Sequence, residues 1–176
     1  MEFLKNVNTF IFDVDGVLTD GSIIVLPALD GAQKMGEVVR RMNIKDGYAL
    51  QYAVKKKYRI AIITGGRSAT IQARFNNLGI TDVFLGVENK LEVYKDYIAK
   101  HNLDNSRVLY MGDDMPDYEV MKFAGIPTCP YDAVDDIKAL SKYISDKKGG
   151  EGCARDVIEK TLKLHDKWYD SIEFGW

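Results

Sequence analysis

The sequence predicts an α/β fold, a parallel sheet with helices on both faces and a β-hairpin inserted near its start. Three observations predict it. Short apolar runs at Thr9–Phe12, Arg59–Ile63, Val108–Met111 and Ile126–Cys129 read as buried strands. Amphipathic stretches of helical period separate these runs. Acidic, hydroxyl or glycine residues follow three of the runs directly, at the strand ends where open α/β sheets bind ligands.

The elements follow in order. Thr9–Phe12 is strand one, and it runs into Asp13-Val14-Asp15-Gly16. Ser22–Leu26 and Glu37–Met42 flank the turn-rich Pro27-Ala28-Leu29-Asp30-Gly31 and read as a hairpin within about residues 22–42. Asp46 is the expected N-cap of a helix through Lys56, with Ala49, Leu50, Ala53 and Val54 on its apolar face. Lys55–Lys57 reads as a solvated helix end. Arg59–Ile63 ends in Thr64-Gly65-Gly66, and Ser68 starts a helix through Leu78 that Gly79 closes at C′. Asp82–Leu85 is a short strand and Lys90–His101 a helix. Val108–Met111 leads into Gly112-Asp113-Asp114, with Pro116 in the first turn of the next helix, where its missing N–H costs little. After strand Ile126–Cys129 come a helix over Ala133–Leu140, a short strand at Tyr143–Ile144 and a glycine-rich loop at 149–152. The last helix is expected over Cys153–Trp168, with Val157, Ile158, Thr161, Leu162 and His165 on one face.

The bulk numbers fit one domain over 1–176. A chain of 176 residues, 46% apolar and 28% charged, is long enough to bury a full core. A formal net charge of -2 gives no reason to expect nucleic acid or an anionic membrane as partner. Cys129 and Cys153 make neither a disulfide framework nor a zinc site and read as reduced, core-associated thiols. The N-terminus has no long apolar segment of a signal peptide, and no run approaches the ~20 apolar residues of a membrane span, so a cytoplasmic location is expected.

Singly, Asp-x-Asp, Thr-Gly-Gly, Gly-Asp-Asp and a lysine at a helix start are ordinary loop and cap features. Their order and shared placement after predicted strands point to phosphoryl transfer. Asp13 is the candidate nucleophile, forming an aspartyl-phosphate. Asp15 is the candidate general acid and then base. Thr64 and the Gly65 N–H can donate to phosphoryl oxygens, and Lys90 supplies fixed positive charge. Asp113 adds a hard oxygen ligand for Mg²⁺, and Asp117 can orient a metal-bound water or hold Lys90.

Taken together, Asp13-Val14-Asp15-Gly16-Val17, Thr64, Lys90 and Gly112-Asp113-Asp114-Met115-Pro116-Asp117 resemble the four motifs of the haloacid dehalogenase superfamily. Within it, the chain is similar to the 3-deoxy-D-manno-octulosonate 8-phosphate phosphatases of bacterial lipopolysaccharide synthesis. That similarity rests on Asp20-Gly21, Asn43-Ile44-Lys45-Asp46-Gly47, Arg74 with Leu78-Gly79-Ile80, and Gly149-Gly150-Glu151-Gly152-Cys153-Ala154-Arg155-Asp156. The resemblance implies a Rossmann-like core and an Mg²⁺-dependent phosphatase. It implies metal ligation by the carboxylates of Asp13 and Asp113 and the backbone carbonyl of Asp15. Lys45 and Arg74 would approach the sugar acid, and Gly65, Asp117 and Arg155 complete the expected substrate-binding set. A sister group acting on a nine-carbon sugar acid often has an acidic residue after Thr-Gly; Gly66 and Arg67 here favour the eight-carbon substrate.

The gaps between the motifs leave no room for a large cap domain. The expected cover for the site is therefore a neighbouring subunit, and the resemblance implies a homotetramer. The tail from Trp168 to Trp176 carries four aromatics and either folds back on its own chain or marks an interface. A non-catalytic assembly module is the competing class, and the presence of Asp13, Asp15 and Lys90 argues against it. A receiver-type signalling domain, which also phosphorylates an Asp, would lack Asp15.

Overall fold

The computed structural model describes residues 2–28 and 35–169. Its centre is a six-stranded parallel sheet in the order β5-β4-β1-β6-β7-β8. The strands are β1 (Thr9–Phe12), β4 (Arg59–Ile63), β5 (Asp82–Phe84), β6 (Val108–Met111), β7 (Ile126–Cys129) and β8 (Tyr143–Ile144). β2 (Ile24–Pro27) and β3 (Met35–Val39) pair antiparallel as a separate hairpin, with a register shift between Val25 and Pro27. Of the expected turn, Leu29, Asp30 and Gly31 lie outside the described residues.

Period-two alternation along the strands makes two cores. Phe10 and Phe12 of β1 point to one face, with Leu50, Phe75 and Val157. That face belongs to α1 (Ile44–Lys55), α2 (Ala69–Asn77) and α6 (Cys153–Leu164). Ile11 points to the other face, with Tyr94, Val120 and Ile137 from α3 (Lys90–His101), α4 (Tyr118–Phe123) and α5 (Asp135–Leu140). Both thiols are buried and free, and Cys153 Sγ donates to the Val17 carbonyl at 3.1 Å. Among the described residues no helix is long and apolar enough to cross a membrane.

Several expected boundaries move. Asn43, not Asp46, caps α1, accepting the Lys45 N–H at 2.9 Å. Asp46 instead turns inward and accepts the Arg155 N–H at 2.7 Å, so a carboxylate on α1 caps the start of α6. This replaces a side chain that Gly152, the residue at the N-cap, cannot supply. α6 stops at Leu164 rather than Trp168, because Asp166 takes a positive φ of 54° and turns the chain. Trp168 then folds back, its ring 5.0 Å from that of Tyr52, and Tyr169 donates its N–H to Tyr52 Oη at 2.7 Å. The remaining aromatics of the tail lie outside the described residues. α5 starts at Asp135 rather than Ala133, and Pro116 sits in a single 3-10 turn, Met115–Asp117, ahead of α4. Gly79 has the expected left-handed conformation, φ 82°.

Candidate active site

Strand β1 lies between β4 and β6, so the tips that carry Asp13, Thr64 and Asp113 are neighbours. A cleft of about 630 Å³ opens there, lined by Asp13, Asp15, Thr64, Gly65, Lys90, Asp113 and Asp117 among others. Segments far apart in the chain meet because parallel pairing aligns their carboxyl ends.

Lys90 is the hub. Its Nζ stands 2.9 Å from Asp13 Oδ1 and 2.8 Å from Asp117 Oδ1. It projects from the start of α3, which Asn89 caps by accepting the Glu92 N–H. Asp117 is fully occupied by protein partners. Oδ1 also accepts from Tyr110 Oη at 2.6 Å, and Oδ2 accepts the Asp113 N–H at 3.2 Å. Of the two roles open to Asp117, the geometry thus shows it holding Lys90, and it fixes the Asp113 backbone as well. Thr64 Oγ1 accepts the Gly66 N–H at 3.0 Å, which leaves the hydroxyl proton for another acceptor.

The charges are crowded. Burial, then the charge of Asp117, pushes the Asp13 carboxyl up to about 7, although Lys90 pulls the other way. Burial, then Asp13 and Asp117, pushes Asp113 up to about 8. Burial disfavours the Lys90 charge, but Asp13 and Asp117 outweigh it and hold the lysine above its ordinary range. Three carboxylates whose oxygens lie within 4.8 Å of one another face one ammonium. Hard carboxylate oxygens in excess over the local positive charge suit Mg²⁺, and Asp13 and Asp113 are the residues that would hold it. Gly16 makes the room: it has φ 88°, and a Cβ there would overlap Asp113 Oδ2.

Asp15 has a partner that the sequence reading missed. Arg40, directly after β3, donates Nε to Asp15 Oδ1 at 2.6 Å and Nη2 to Oδ2 at 3.1 Å. Tyr110 was missed as well. A buried strand tyrosine gives no motif signal, and the Arg40–Asp15 contact spans the hairpin.

Three predicted site residues are not brought to this cleft. Arg74 Nη2 lies against Gly47 on α1, where a Cβ would overlap it. Lys45 and Arg155 line a separate charged groove with Glu159 and Lys163. Arg155 donates Nε to Glu159 at 2.9 Å and stacks its guanidinium 5.3 Å from the Trp168 ring. The 149–152 loop does reach the back of the site: Gly150 N–H donates to the Val17 carbonyl at 2.9 Å, and a Cβ on Gly149 would overlap the Gly16 carbonyl.

An aspartate at the β1 tip, a hydroxyl and an acidic residue at the tips of its two neighbours and a lysine at the start of α3 are the arrangement of a hydrolase of the haloacid dehalogenase type. The family model described as haloacid dehalogenase-like hydrolase matches residues 37–130, and the chain belongs to that family. Its relatives narrow the class. The 3-deoxy-D-manno-octulosonate 8-phosphate phosphatase KdsC of Yersinia pestis is 35% identical over 162 residues, 92% of this chain and 83% of that protein. The KdsC of Escherichia coli K12 is 32% identical over 163 residues, 93% and 83%. The crystal structure of the Y. pestis phosphatase matches with a TM-score of 0.87 at 31% identity, covering 96% of this chain and 88% of that one. The Moraxella catarrhalis phosphatase, in complex with magnesium, phosphate and KDO, matches with a TM-score of 0.83 at 33% identity, covering 93% and 90%.

Proposed function

We propose that this protein hydrolyses 3-deoxy-D-manno-octulosonate 8-phosphate to the free sugar acid and phosphate, as an Mg²⁺-dependent step of lipopolysaccharide synthesis. The observation that carries the reading is the buried Asp13 at the β1 tip, 2.9 Å from Lys90, with Asp15 two residues on and Asp113 facing it. The relatives named above supply the substrate.

In this reading Asp13 attacks phosphorus, and the bond from phosphorus to the sugar oxygen breaks. Asp15 gives its proton to the departing oxygen. Asp15 then takes a proton from water as that water attacks the aspartyl-phosphate, which releases phosphate and restores Asp13. Lys90, Thr64 Oγ1 and the Gly65 N–H offset charge on the phosphoryl oxygens. Bound Mg²⁺ would neutralise part of the repulsion between the phosphoryl group and the two carboxylates.

The whole chain acts as one unit of this kind, in the cytoplasm, assembled as a homotetramer. What supports assembly is the hairpin, where Ile24 is 62% and Val25 51% exposed, together with an open cleft that no cap covers among the described residues. Lys45, Arg74 and Arg155 serve the sugar acid where another copy brings them to the cleft. The deciding experiment compares kcat/KM over a panel of phosphorylated sugar acids, with and without Mg²⁺. Preference for the eight-carbon 8-phosphate supports the reading; preference for the nine-carbon 9-phosphate, or no dependence on Mg²⁺, overturns it. A fully active monomer would overturn the tetramer.

A further inference from the structure

The clamp between Arg40 and Asp15 lies outside the motifs that define the site. Two parallel N–H···O contacts, 2.6 and 3.1 Å, fix the plane of the Asp15 carboxylate as well as its position. The Arg40 side chain is only 14% exposed, although it leaves the end of the solvent-facing hairpin. Its space is prepared: a Cβ on Gly66 would stand 3.3 Å from Arg40 Nη2 and 3.3 Å from Thr64 Oγ1, so the bare backbone of the β4 tip lets the guanidinium lie across it.

Even with Arg40 against it, Asp15 stands on a loop in an open cleft, its side chain 36% exposed. A short carboxylate there has several rotamers, and few of them aim an oxygen at a leaving group. We propose that Arg40 is a positioning residue for Asp15, setting the geometry in which that carboxyl delivers a proton to the departing oxygen. The inference rests on the general-acid role given to Asp15 above. It also makes the hairpin part of the catalytic apparatus, since Arg40 is where the hairpin joins the site.

The effect depends on the leaving group. An alkoxide such as a sugar oxygen needs a proton to depart, whereas p-nitrophenolate leaves without one. Steady-state kinetics with Mg²⁺ are measured on 3-deoxy-D-manno-octulosonate 8-phosphate and on p-nitrophenyl phosphate, for the intact protein, Arg40→Ala, Arg40→Lys, Asp15→Asn and the Asp15→Asn/Arg40→Ala double variant. Arg40→Ala should lower the ratio of alkyl to aryl kcat/KM, which reports only the steps through loss of the leaving group and not the later water attack, about tenfold or more, a part of the full general-acid contribution. Arg40→Lys, which keeps charge but loses the fork, should fall between. Adding Arg40→Ala to Asp15→Asn should lower that ratio no further. Equal losses on both esters, or a change confined to KM, would assign Arg40 to structure or to substrate binding and overturn the inference. Far-UV circular dichroism and thermal unfolding of each variant report that it is folded. If Asp15→Asn itself leaves the ratio unchanged, the general-acid reading fails; if only Arg40→Ala does, the positioning role fails alone.

Discussion

Lys90 and Asp117 form a 2.8 Å ion pair in which the two side chains are 6% and 1% exposed. Water cannot replace either partner at that depth. Removing one charge therefore strands the other, where an exposed pair would lose little.

Lys90→Met should then cost about 3–5 kcal/mol of folding stability, because Asp13 and Asp117 both lose their cation. Turnover should vanish with it. Urea unfolding beside kcat checks this; a variant as stable as the parent would mean that the pair is solvated after all.

Asp117→Asn makes a finer cut. The amide can satisfy Lys90 and Tyr110 through its oxygen only by turning its NH₂ toward the Asp113 N–H, which Oδ2 now accepts. One donor is left facing another in either orientation, at about 1–3 kcal/mol. The expected result is a folded protein with lower melting temperature and a raised Mg²⁺ requirement, read from thermal scans and from activity against Mg²⁺ concentration.

Asp46 predicts a pH effect on stability. Burial pushes its carboxyl up to about 6, although the N–H groups of Arg155 and Gly152 favour the charged form. The folded protein holds a proton that the unfolded chain releases near 3.8. The contribution is therefore complete below the unfolded value and is lost as pH rises through about 6, up to about 3 kcal/mol in all. Asp46→Asn keeps an acceptor for the Arg155 N–H and removes the titration. Its stability relative to the parent should improve between pH 4 and pH 7; a parallel pair of stability curves would refute the assignment.

Gly16→Ala tests the cleft without touching a charge. Its Cβ would overlap Asp113 Oδ2, and the positive φ adds about 1 kcal/mol of strain. The Asp113 carboxylate must swing away, so the Mg²⁺ concentration for half activity should rise by about tenfold or more, equivalent to ~1.4 kcal/mol. An unchanged Mg²⁺ dependence would show that Asp113 is not a ligand.

Much of this was legible before any coordinates. Strands β1, β4, β6 and β7 are apolar runs buried on both faces, so pattern and burial agree, and the motif residues after them had only one place to go. What the sequence hid is tertiary. Asp46 looks like an N-cap because Asp is a capping residue, but Asn43 takes the cap and Asp46 answers a glycine start over a hundred positions away. Arg40 gives no spacing signal, because its partner lies across the hairpin. Lys45, Arg74 and Arg155 were singled out by resemblance, and within one chain their neighbours are Gly47, Glu159 and Trp168 rather than the cleft.

Strand β1 is made first yet sits between its two later neighbours: Thr9 pairs with Arg59 on one side and Val108 on the other. Asp13 is thus translated well before Asp113 and Asp117. A nascent chain carries Asp13 with no lysine beside it until α3 is out, and with no Asp113 or Asp117 until β6 has closed the sheet. Closing those long loops is slow and entropically unfavourable, and nothing in the early chain rewards it. The group of carboxylates made by Asp13, Asp113 and Asp117 is therefore completed late in folding, once β6 has joined the central sheet.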